Sequence, residues 1–135
     1  MRKILFDSSV WISFFLEKDV HHEKAVKLIF NLTNKNNYET EILIPEIILA
    51  EILNTLSKFE SVDFANHVYN QFLELQQIRI VFGEKNFWLE YFPQIAGKEN
   101  LKTADAIILA YANFLMVDEF VSFDKKLSKA FLGEV

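Results

Sequence analysis

Lys3-Ile4-Leu5-Phe6-Asp7-Ser8-Ser9-Val10-Trp11-Ile12 contains the transition on which the fold turns. The run Ile4-Leu5-Phe6 leaves no polar face, so it reads as a short strand buried on both sides rather than a half-exposed one. Asp7 ends that strand, and Ser8 or Ser9 then opens an apolar helix reaching Leu16. A second strand is expected at Glu41-Ile42-Leu43-Ile44, a third over 78–82 and a last clear one over 119–123. Between them, helical spacing of apolar residues predicts helices over 20–34, from Pro45 through Glu51 to about 59, over 62–76, over 85–95 and over 103–116. Thr103 is the expected cap of the last of these, and Asp124 is expected to open a terminal helix. The polar run 34–41 reads as a loop and 97–100 as a turn.

Short strands alternating with helices make this an α/β chain, with a small, mostly parallel sheet of four to five strands flanked by helices on both faces. In such sheets ligands gather outside the carboxyl ends of the strands, where Asp7 and Asp124 both fall. A hydrophobic share of 51% with 14 phenylalanines supplies a core, and this length buries roughly two thirds of the unfolded surface, so one domain over 1–135 is expected. The lack of cysteine removes disulfides, thiolate metal sites and cysteine nucleophiles together, and fits a reducing compartment, with the cytoplasm as the expected location. Asp7 interrupts the apolar run too early for a signal peptide. The most apolar stretch, 104–117, contains Asp105 and Asn113 and falls short of the roughly 18 apolar residues of a membrane span. A net charge of −5 is the wrong sign for nonspecific nucleic-acid binding.

Four acids carry the chemistry. Asp7 and Asp124 stand where a helix cap is wanted, and Asp105 lies in a first helical turn where the dipole favours an anion, so each of the three has a structural reading beside a functional one. Glu51 sits mid-helix, where neither argument applies. It projects between Ile47 and Ile48, with Leu49, Ile52, Leu53 and Leu56 covering the other side, so the helix is expected to be buried. A buried carboxylate requires a cation, a metal or a network of donors. Glu46, just after Pro45, is adequately explained as a first-turn acid. Acids converging at strand ends repel one another unless a divalent cation lies among them, and oxygen ligation without cysteine or histidine selects Mg2+ or Mn2+. One ion or two remain open.

These motifs resemble those of the PIN-domain nucleases, most closely the VapC-type toxins of toxin–antitoxin pairs. The resemblance rests on Leu5-Phe6-Asp7-Ser8-Ser9-Val10-Trp11-Ile12, Pro45-Glu46-Ile47-Ile48-Leu49-Ala50-Glu51-Ile52, Leu101-Lys102-Thr103-Ala104-Asp105-Ala106-Ile107-Ile108 and Val121-Ser122-Phe123-Asp124-Lys125-Lys126-Leu127. Order and separations of 44, 54 and 19 residues between the acids carry more weight than any one motif. The resemblance implies a three-layer α/β/α fold, metal-binding Asp7, Glu51, Asp105 and Asp124, and hydroxyls of Ser122 and Ser9 that hold a ligand water or a metal. It also implies hydrolysis of single-stranded RNA leaving a 5′-phosphate, a homodimer, and silencing by a cognate antitoxin. Family members often end in a further short strand, for which this chain has little length after its terminal helix.

Lys98, Lys102, Lys125, Lys126 and Lys129 stand near Asp105 and Asp124 in sequence, either as a basic rim for phosphate or as a solvated helix face. His21 and His22 read as a surface pair, and the aromatic run from Phe87 to Phe92 as core or dimer surface rather than a base-stacking platform. No serine-hydrolase elbow surrounds Ser8 or Ser9. The competing reading is a catalytically silent PIN-like module that binds RNA or protein; intact acids at all four positions weigh against it.

Overall fold

The computed structural model describes residues 1–33 and 39–133. Four strands are present among them, β1 (Arg2–Phe6), β2 (Thr40–Pro45), β3 (Ile78–Val81) and β4 (Glu119–Val121), in the order β3-β2-β1-β4. Every pairing is parallel. Seven α-helices flank the sheet, α1 (Ser8–Phe15), α2 (His22–Thr33), α3 (Glu46–Phe59), α4 (Val62–Glu74), α5 (Phe92–Ile95), α6 (Thr103–Phe114) and α7 (Lys125–Leu132), together with a π-helical turn over Asn86–Tyr91.

Ile4, Leu5 and Phe6 are all fully buried, as are Leu43 and Ile44, which requires cover on both faces of the two central strands. Part of that cover is α3, where Ile48, Ile52 and Leu56 form one fully buried stripe at helical spacing. After β3 the chain crosses back past β2 to lay β4 on the far side of β1, paired Phe6 to Val121. The strand order reverses at β1. Its carboxyl end is the crevice such a topology leaves open, and Asp7 is the next residue.

Several expected boundaries shift for identifiable reasons. β4 stops at Val121 rather than 123, because the N–H groups of Phe123 and Asp124 donate to the hydroxyls of Ser9 (3.3 Å) and Ser122 (3.0 Å) instead of to a neighbouring strand. Thr103 is not the cap of α6: Lys102 takes the extended cap conformation, and Thr103 is already helical with no capping bond. The helix expected over 85–95 is π-helical up to Tyr91. Phe92 N–H reaches back to Phe87, and the next residue, Pro93, has no N–H with which to restore α register. Pro45 ends β2 and caps α3 rather than lying within it. β2 takes in Thr40 from the expected loop and begins one residue before the expected strand at Glu41; most of that loop, 34–38, lies outside the described residues, as does the chain end after Gly133.

Candidate active site

Asp7 is 5% exposed and is bound through both oxygens. It caps α1 through Oδ1, which accepts the Ser8 N–H at 2.8 Å, while Oδ2 accepts the hydroxyls of Ser122 at 2.8 Å and Ser9 at 3.0 Å. Its own N–H donates to the Val121 carbonyl at 2.8 Å, tying it to the end of β4. Asp7 is therefore a helix cap and a bridge between the β1 and β4 ends at once. Ser122 and Ser9 direct their protons to Asp7 while accepting the backbone N–H groups of Asp124 and Phe123, so the two hydroxyls lock the β1 and β4 ends together.

Glu51 is half-buried rather than enclosed, since only the Ile48, Ile52 and Leu56 edge of α3 is sealed. Its Oε1 accepts the Ser8 hydroxyl at 3.1 Å, and the same hydroxyl stands 3.4 Å from Asp7 Oδ1. Burial pushes the Glu51 carboxyl above its ordinary range, the Ser8 bond opposes this, and the nearby charges of Asp7 and Asp105 add to the rise. Asp105 is raised too, first by burial, then by Asp124 and Asp7, with Lys102 and Lys126 pulling it down. Asp124 is exposed and caps α7, its Oδ1 accepting the N–H of Lys126 at 2.9 Å and of Leu127 at 3.2 Å. The fold thus gathers the four acids into one mutually repelling group, drawn from β1, α3, α6 and the β4–α7 junction.

Among the described residues, no three acid or histidine side chains already stand in an arrangement that holds a metal ion. The donor set nonetheless fits one. Hard oxygens whose pKa is raised by burial and mutual repulsion would be relieved by a divalent cation, and Mg2+ takes only one or two carboxylates while keeping several waters.

The PIN domain family model matches residues 4–131, nearly the whole chain. The chain belongs to the PIN-domain family. Solved structures superpose on it at low identity. A VapC toxin of Mycobacterium tuberculosis that cleaves the sarcin-ricin loop aligns with TM-score 0.76 and 17% identity over 98% of each chain. VapBC2 of Rickettsia felis, bound to a DNA fragment from its promoter, aligns with TM-score 0.70 and 14% identity over 94% of this chain and 92% of that one. DNA-bound VapBC of Salmonella typhimurium aligns with TM-score 0.57 and 19% identity, over 83% and 80%. At such identities the likeness shows a shared fold. No curated protein sequence matches significantly.

In this PIN domain the lysines expected to form one rim divide. Lys102 and Lys126 lie near enough to Asp105 to lower its pKa, and Lys126 Nζ also donates to the Asn100 carbonyl at 2.9 Å. Lys125 and Lys129 line a different pocket beside Ser122, whereas Lys98 lies with Ile95 and Leu101 in a cleft of its own. Ser8, read in sequence as a helix start and rejected as a nucleophile, is the bridge between Asp7 and Glu51. Its place directly after a strand-ending Asp was the available signal. Glu46 is more than a first-turn acid: it accepts the Gly83 N–H at 2.9 Å and a short hydrogen bond from Tyr111 Oη, joining α3, the segment after β3, and α6. His22 Nδ1 lies 2.9 Å from the Ser13 carbonyl, and His21 packs on Phe123 at 5.2 Å.

Proposed function

We propose that the chain is a Mg2+- or Mn2+-dependent endoribonuclease that hydrolyses single-stranded RNA to leave a 5′-phosphate, and that it is the toxin of a type II toxin–antitoxin pair. The observation that carries the reading is the convergence of Asp7, Glu51, Asp105 and Asp124 at the strand-order reversal, where burial and their mutual repulsion raise the pKa of Glu51 and Asp105. Membership in the PIN-domain family supports a nuclease. The VapC and VapBC neighbours support a toxin with a cognate antitoxin partner. A homodimer and a cytoplasmic location belong to the same reading. Among the described residues no helix is long and apolar enough to cross a membrane.

When bound, the cation supplies a water of lowered pKa and steadies the leaving oxygen of phosphodiester hydrolysis. Asp7, Glu51, Asp105 and Asp124 are its ligands, directly or through water. Asp7 arrives already oriented by Ser9, Ser122 and the Ser8 N–H, so little side-chain freedom is lost on ligation. Because the pKa of Glu51 and Asp105 is raised, protons would compete with a cation for these carboxylates at a higher pH than for ordinary ones, so cation affinity should fall with falling pH. Lys102 and Lys126, beside Asp105, offer positive charge to an incoming phosphate.

The test is cleavage of labelled single-stranded RNA in Mg2+ or Mn2+ and in EDTA, with Asp7→Asn and Glu51→Gln beside the wild type. Metal-dependent cleavage lost in both variants is expected. The competing reading is a silent RNA- or protein-binding module. That module is the answer if a folded, metal-binding wild type cuts no RNA pool, including total tRNA.

A further inference from the structure

Beside the carboxylates lies a pocket of about 410 Å3 that none of the chemistry above uses. Its walls include His21 and Lys24 from the α2 region, Ser122 and Phe123 from the β4–α7 junction, and Lys125 and Lys129 from α7. No acid lines it, so in a chain of net charge −5 three ammonium groups meet in one place. Two lysines one turn apart on α7 are no more than a solvated face. Lys24, brought in from another helix, is what turns them into a pocket.

An aromatic ring stands in that pocket. Lys24 Nζ lies 5.3 Å from the centroid of Phe123, and the His21 ring 5.2 Å from it at 45°. The backbone of Phe123 is anchored to the acids: its N–H donates to Ser9 Oγ, Ser122 before it donates to Asp7 Oδ2, and Asp124 follows. The pocket is therefore linked to Asp7 through Ser122, which lines it, and its volume is within the roughly 300–1,000 Å3 of small-ligand sites. Aromatic faces hold unpaired bases with little regard to sequence, and lysines hold the phosphates between them.

Resting on the nuclease reading, we propose that this pocket binds the nucleotide next to the scissile phosphate of a single-stranded RNA, with its base on Phe123 and its phosphates on Lys24, Lys125 and Lys129. Stacking of this kind selects single strands, because a paired base cannot leave its neighbours without cost.

The experiment is fluorescence anisotropy of a short labelled RNA in Mg2+, in the Asp7→Asn background so that cutting does not intervene, with melting curves to verify folding. Lys24→Ala and Lys129→Ala should each weaken binding and reduce the slope of log affinity against log salt by about 0.7. Phe123→Leu, which keeps the apolar bulk, should weaken binding about ten-fold with the salt slope unchanged. An RNA containing one abasic position at the stacked site should bind Phe123→Leu and the parent equally. If Phe123→Leu misfolds, His21→Ala together with the lysine variants carries the same test from exposed positions. Unchanged affinity and slope in the lysine and Phe123 variants would overturn the pocket while leaving wild-type cleavage, and the nuclease reading, untouched. Loss of binding in those variants, in a protein whose wild type never cuts RNA, would support the pocket and remove the nuclease.

Discussion

Ser122 illustrates how much of the site is orientation. Its hydroxyl donates to Asp7 and accepts from Asp124 N–H, so one side chain sets two of the four acids. Ser122→Ala should lower the rate of RNA cleavage about 10–100-fold, as loss of groups that orient metal ligands commonly does. Ser122→Thr, which retains the hydroxyl, should recover most of it. Glu51 and Asp105 determine how the apo protein responds to pH. Both are raised, so the folded chain holds their protons more tightly than the unfolded chain does. That contribution to stability is present below the ordinary values of 4.5 and 3.8 and is lost as pH rises through the higher folded values. In EDTA, the melting temperature of Glu51→Gln minus that of the wild type should therefore grow as pH rises from about 4 to 7. A flat difference would show that burial and the charges of Asp7 and Asp105 do not raise Glu51.

At the scale of elements, the region after β3 depends on close approach rather than on helix propensity. Gly83 gives its N–H to Glu46 and lies against Tyr111 and Trp88; an added Cβ would overlap Tyr111 Oη and come within 2.6 Å of Trp88 Nε1. Phe87, fully buried, stacks on Tyr111 at 4.0 Å, so the π-helical turn is held by aromatic packing. Burial and the bond to Glu46 push the Tyr111 hydroxyl well above its usual range, so it remains a donor at any pH the protein meets. Gly83→Ala should cost about 1–3 kcal/mol, read as a lower midpoint in urea unfolding, by the same overpacking that penalises added methyl groups in cores. The strand and helix order was legible beforehand because buried parallel strands and amphipathic helices differ in period. The π-helical turn was not, because α and π turns carry the same apolar spacing over so few residues.

For the whole molecule, the proposed cation site would link folding to cation binding. Magnesium that binds only the folded chain should raise the melting temperature at pH 7, by up to about 2.7 kcal/mol of stability at a hundred-fold excess over its dissociation constant. Asp7→Asn and Asp105→Asn should remove most of that rise, and calorimetry with and without EDTA measures it. A wild type that melts identically in both would count against the cation site. Charge is also unevenly spread, with acids at the strand ends and lysines in two groups, one acting on Asp105 and one lining the pocket at Ser122, so the net value of −5 describes neither surface that RNA would meet.

By itself the sequence determined the α/β class, the succession of buried strands and helices, and the four acids as the residues of interest, because local period and the cost of a charge on an apolar helix act over a few positions. Only the tertiary structure decided which acids meet, since Asp7, Glu51, Asp105 and Asp124 are joined by a strand order that no local pattern encodes. The same holds for Ser8 as a bridge, for Glu46 as a clamp on Gly83 and Tyr111, and for Lys24 beside Phe123, each of which spans a long stretch of chain. Contacts of that kind arise when helices pack across a sheet, and their partners are set by the packing.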